Sequence, residues 1–107
     1  VDDLNNIHWH NCKLVSLIEV PDNALLALNV QYPENLQDDI FSAKAILFNG
    51  FYTLEIHEEP TSEGITLISA SVESEEDGYS AVRIETSAGY RLVKAQGVSL
   101  GPAVVRI

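Results

Sequence analysis

A chain of 107 residues, 46% hydrophobic and 21% charged, has the length of one domain, 1–107, and can bury a core without disulfides or a structural metal. Sixteen Asp and Glu against six Lys and Arg leave a formal net charge of -10, which excludes nucleic-acid backbones and anionic membrane surfaces as natural partners. The charge fits a basic protein partner, or serves solubility alone. No apolar run approaches the ~18 residues of a membrane-spanning helix. A single cysteine excludes an internal disulfide and points to a reducing, cytoplasmic setting.

The opening VDDLNN is acidic and polar, unlike a secretory leader, and Val1 in place of Met fits a processed or trimmed end. Then comes IHWHNCK, with two of the three histidines, the only Trp and the only Cys. If a strand begins before Lys13, alternation puts His8, His10 and Cys12 on the core face with Leu14 and Ile18, and turns Trp9 outward. His8, His10 and Cys12 are then the one candidate metal set, for a small metal-dependent enzyme or sensor. The inward direction favours a buried, inert thiol instead. A Cys-His nucleophile would need an electropositive setting that this acidic chain does not offer.

The rest reads as strands, with Gly, Asn, Asp and Pro between them. Lys13–Val20 and Ala24–Tyr32 form a hairpin around Pro21-Asp22-Asn23. That loop pairs Val20 with Ala24, Ile18 with Leu26 and Leu14 with Val30. Asn49-Gly50 lies between apolar runs and predicts a second, two-residue hairpin, pairing Leu47 with Tyr52 and Lys44 with Glu55. A kinked strand running on through Gly50 is the alternative. A third hairpin joins Ile65–Glu75 to Tyr79–Ser87 through Glu76-Asp77-Gly78, with Val72 opposite Val82 and Ala70 opposite Ile84. Ser87-Ala88-Gly89 then turns into Tyr90–Ala95, setting Ile84 against Leu92 and Glu85 against Arg91. Val98–Ile107 supplies a last edge strand, where Pro102 is tolerated. PENLQDD, Pro33–Asp39, can hold a helical turn. With the polar Glu58–Gly64 it is expected to carry the chain between sheets. About seven antiparallel strands result, all-β, in a two-sheet sandwich or a partly open barrel.

No catalytic constellation or cofactor motif is legible. The acidic clusters Glu73–Gly78 and Glu58–Glu63 sit on turns and match no EF-hand spacing. The segments WHNCKLVSLIEV, AILFNGFYTLEI and YRLVKAQGVSL resemble small bacterial β proteins, among them immunity proteins of polymorphic toxin systems. Those often open with His-Asp-x-x-Leu, and Asn11 departs from the pattern. The resemblance implies a small cytoplasmic β domain that inhibits a cognate toxin. It carries over no ligand or catalytic residue. The expectation is therefore a non-enzymatic, acidic protein-binding module. Glu75, Glu76 and Asp77 would steer it to a basic partner, and Trp9, Phe48 and Phe51 would anchor it. A homodimer paired through an edge strand is the further alternative.

Overall fold

The structure, a computed structural model, describes residues 4–35 and 37–105. Eight strands form two antiparallel sheets: β1 (Lys13–Val20), β2 (Leu25–Asn35), β3 (Ile40–Asn49), β4 (Thr53–Glu58), β5 (Leu67–Glu76), β6 (Tyr79–Thr86), β7 (Gly89–Ala95) and β8 (Gly97–Pro102). Sheet A has the order β1-β2-β3-β8 and sheet B the order β4-β7-β6-β5. The radius of gyration, 13.2 Å, matches the about 13 Å of a single domain this size. The sheets do not close into a barrel, although one bridge, Lys13 to Thr66, links β1 to the start of β5.

Sheets A and B meet at a corner where two long strands bend together. β3 pairs with β8, and β4 pairs with β7, so β3–β4 lies antiparallel to β7–β8 along both sheets. The expected hairpin at Asn49-Gly50 is this bend. β3 is already paired on both sides, with β2 and β8, and has no free edge for β4. A two-residue hairpin would also need positive φ at both central residues, and only Gly50 has it, at 61°. The kinked-strand alternative describes the chain here. Lys44 accordingly meets Glu34 at 3.0 Å rather than Glu55.

The two long connections do not change sheets. β2 and β3 are neighbours in sheet A, and β4 and β5 are the two edges of sheet B. β2 runs through Pro33 to Asn35 and Gln37–Asp39 is a turn. The helical turn expected over Pro33–Asp39 includes Leu36, which lies outside the described residues, as do Arg106 and Ile107 of the predicted tail strand and the Val1–Asp3 start.

Three registers depart from expectation by one residue, and bulges decide where the departure ends. The first turn has four residues, closed by Ala24 in the left-handed region at φ 47°. It pairs Val20 with Leu25 and Ile18 with Ala27, until a bulge at Val15 restores Leu14 opposite Val30. In β5–β6 the turn is the two-residue Asp77-Gly78, with φ of 54° and 82°. A bulge at Glu73 then brings Val72 opposite Val82 and Ala70 opposite Ile84, as the apolar pattern requires. β6–β7 has no such correction: Thr86 pairs with Gly89, so Ile84 meets Arg91 and Glu85 meets Tyr90.

The core lies between the sheets. Leu26, Leu28, Val30, Ile46, Phe48 and Val98 face it from sheet A, and Val82, Ile84 and Val93 from sheet B. Each such side chain contributes roughly 1.5–3 kcal/mol on burial. The segment before β1 plugs one end with Leu4, Ile7, Trp9 and Cys12. Beyond β8 the chain folds over the outer face of sheet A. There the Asn29 amide donates to the carbonyl of Val104 and accepts from its N–H, both at 2.8 Å.

Candidate partner interface

The opening stretch holds no assembled site. It is not a strand: a turn at His10-Asn11, with Asn11 at φ 71°, breaks the alternation. Trp9 is therefore buried, and its indole N–H donates to the Leu4 carbonyl at 3.0 Å. His8 and His10 are exposed instead of inward. Cys12 is wholly buried, as alternation from Leu14 predicts, and its thiol donates to the His8 carbonyl. Burial pushes that thiol up to about 12. His8, His10 and Cys12 do not converge, and no three His, Cys, Asp or Glu among the described residues are placed to hold a metal.

The anchors expected on the surface are also elsewhere. Phe48 is fully buried, and Phe51 packs half-buried against the core. Both follow from the bend at Gly50, which turns the Ile46 and Phe48 face inward. Glu75, Glu76 and Asp77 are exposed at the tip of β5–β6. Glu75 accepts from the Ser80 hydroxyl at 3.3 Å.

The outer face of sheet B carries a cluster of polar and aromatic side chains. Registers across the sheet place His57 beside Tyr90 and Glu85, then Glu55 beside Leu92 and Arg83, then Thr53 beside Lys94 and Ala81. At one end His57 stacks on Tyr90 with ring centroids 4.6 Å apart. The Arg83 guanidinium sits 3.8 Å over the same ring, from the other strand. Arg83 also pairs with Glu85 and, at 3.7 Å, with Glu73. Those carboxylates, Glu85 foremost, raise its pKa further. Glu55 Oε1 lies 3.1 Å from His57 Nε2 and accepts a hydrogen bond from it when that nitrogen carries the ring proton.

At the other end Tyr52 and Tyr79 tilt together with centroids 5.6 Å apart. Tyr52 is 65% exposed. Lys94 lies 5.8 Å over its ring. Glu76 and Asp77 complete a notch of about 400 Å³ with these three residues. Of the six residues read from the sequence as partner-binding, Glu76 and Asp77 are thus brought together with an aromatic pair. Tyr52, Tyr79, Tyr90, Arg83 and Lys94 were not expected there. The signal existed as two alternating sets, Tyr79-x-Ala81-x-Arg83-x-Glu85 and Tyr90-x-Leu92-x-Lys94. A three-residue turn after β6 would have sent the second set into the core. The observed turn, Ser87-Ala88, sends it outward.

That same register sends Arg91 inward. It lines a cleft of about 510 Å³ between β1 and β4, walled by Leu14, Val15, Leu17, Ile56 and Ile65. Arg91 and Glu58 form a pair there, both side chains more than nine-tenths buried. Nε and Nη2 donate to the two carboxylate oxygens at 2.8 and 2.9 Å, and the Thr86 hydroxyl donates to Oε2 at 3.1 Å. Arg91 thereby holds the Glu58 carboxyl below its ordinary range, against the opposing effect of burial.

No protein-family model matches the chain, and no curated protein matches it at a significant level.

Proposed function

We propose that this protein is a non-enzymatic, acidic binding module that docks the outer face of sheet B on a basic surface of a partner protein, in the manner of an immunity-type inhibitor in the cytoplasm. The observation that carries the reading is the clustering on one sheet face. Three tyrosines and an arginine, residue types enriched at binding hot spots, are interleaved there with Glu55, Glu73, Glu76, Asp77 and Glu85. Carboxylates outnumber cations on that face, in keeping with the net charge of -10. Acidic surface of this kind speeds encounter with a basic partner and fixes its orientation. The resemblance of WHNCKLVSLIEV and AILFNGFYTLEI to immunity proteins supports the same class. The thiol of Cys12 sits neutral in the core, which favours a structural role for it over a nucleophilic one.

A heterologous partner fits better than a second copy. β5 is one of the two edges of sheet B, but register shifts at Ile68 and Glu73 interrupt it and Glu73, Glu75 and Glu76 line it. Bulges and charges of this sort protect an edge from pairing with its own kind.

The test is capture from the native host at low salt, with identification of the retained protein. The expected partner is basic and elutes as ionic strength rises through about 0.15 M, where the screening length is about 8 Å. A variant with Glu73→Lys, Glu76→Lys and Glu85→Lys, shown to fold by its melting curve, should lose it. Equal retention by that variant, or elution indifferent to salt, would overturn the proposal.

A further inference from the structure

We infer that the notch of Tyr52, Tyr79, Glu76 and Asp77 receives an arginine side chain of the partner, and that Lys94 is a resident cation which the arginine displaces. The inference rests on the outer face of sheet B being the docking surface. Tyr52 is among the most exposed large side chains described, and it is not one of the residues packed against the core cluster. It nonetheless stands against Tyr79 and under Lys94. Two ring faces set at 47° with two carboxylates on the rim suit a planar cation, which can stack on one surface while its N–H groups reach an acid.

Lys94 fills this role incompletely. Its ammonium is at the outer limit of a cation–π contact, about 6 Å. Among the described residues, Lys94, Glu76 and Asp77 take part in no ion pair, whereas Lys44, Arg83 and Arg91 each do. Both acids of the notch thus retain their full acceptor capacity beside a cation that does not reach them. Arginine has a longer, forked head and can satisfy ring and carboxylate together. Lys94 enters from β7, between Thr53 and Ala81, on a flexible stem that can swing out without disturbing the sheet.

The probe is hexa-arginine, titrated at ~0.15 M salt into the whole protein, with the tyrosine ring resonances followed by NMR and hexa-lysine as comparison. Saturable shifts of Tyr52 and Tyr79 are expected, with arginine binding several-fold more tightly than lysine. Lys94→Ala should tighten binding about threefold or more, because the competing cation is gone. Tyr52→Ala, and Glu76→Gln with Asp77→Asn, should each weaken it about three- to tenfold. Asn at position 77 tolerates the positive φ there, and Tyr52→Phe should keep most of the affinity. Weaker or unchanged binding by Lys94→Ala would overturn the inference. So would shifts spread over every carboxylate without saturation at the tyrosines. If salt-sensitive partner capture persists while hexa-arginine leaves the tyrosines unmoved, this inference alone falls. If the tyrosines saturate but no partner is captured, the docking reading falls.

Discussion

Arg91 grips Glu58 through two parallel hydrogen bonds, at 2.8 and 2.9 Å, on the floor of the cleft between β1 and β4. The two residues belong to neighbouring strands of sheet B but are not directly opposite: Arg91 pairs with Ile56, and Glu58 with Gly89. The diagonal geometry lets the long arginine reach past Ile56 to Glu58, two residues further along β4. Removing one partner of a buried pair leaves the other charge stranded, at a cost of about 3–5 kcal/mol. Glu58→Gln should lower the urea midpoint accordingly. Replacing both, as Glu58→Leu with Arg91→Met, should recover most of the loss.

The same pair sets an acid limit on stability. The folded pKa of Glu58 lies below its ordinary value, with the Arg91 hydrogen bonds as the largest cause. The contribution is therefore fully present above the unfolded value of about 4.3. It fades as pH falls through the depressed folded value. Unfolding free energies measured from pH 6 down to about pH 2 should show a loss in the wild type that is smaller in Glu58→Gln.

Cys12 should be chemically silent until the protein unfolds. Its thiol is enclosed and pushed up to about 12 by desolvation, so little thiolate exists at neutral pH. Reaction with an aromatic disulfide reagent should follow the global unfolding rate and not the reagent's intrinsic rate. The linkage has the opposite sign to that of Glu58. The thiol's contribution is present below its unfolded pKa, about 8.5, and is lost as pH rises toward the folded value.

Trp9 reports the plug at the end of the core. Being 6% exposed, it should emit at short wavelength, resist iodide quenching and shift red on unfolding. Trp9→Ala should cost about 3–5 kcal/mol, a loss that a surface anchor would not show.

Gly50 is required at the bend between the sheets. It has φ 61°, and an added Cβ would run into the Gln96 side chain. Gly50→Ala should destabilise by at least about 1–2 kcal/mol from the backbone alone. Adding Gln96→Ala should relieve the collision but leave that backbone part, which a double-mutant cycle in urea would separate.

Much of the fold is legible along the chain because alternation is a local property. The strands β1, β5 and β6, the pairing of Val72 with Val82, and the burial of Cys12 all follow from which residues are apolar at every second place; the tail strand expected over Val98–Ile107 ends at Pro102. At the candidate interface, Glu76 and Asp77 are legible as exposed because Asp-Gly turns project outward. Turn length is less legible, and it decides more. Ser87-Ala88 closes in two residues where the expected turn has three, Ser87-Ala88-Gly89, and that single residue exchanges Arg91 for Tyr90, Leu92 and Lys94 on the outer surface.

The sequence by itself determined an acidic, all-β domain with its apolar residues arranged to be covered, since composition and period-two patterning act within a few residues of chain. Tertiary structure alone decided that Asn49-Gly50 bends a strand instead of reversing it. β2 and β8 occupy both edges of β3, and the backbone groups at the bend bond to Ala24, Lys94 and Gln96, each at 2.8 Å. Hydrogen-bond partners so distant in the chain satisfy the peptide groups as well as a tight turn would. They also bury Phe48 in the core, which a local hairpin would have left exposed.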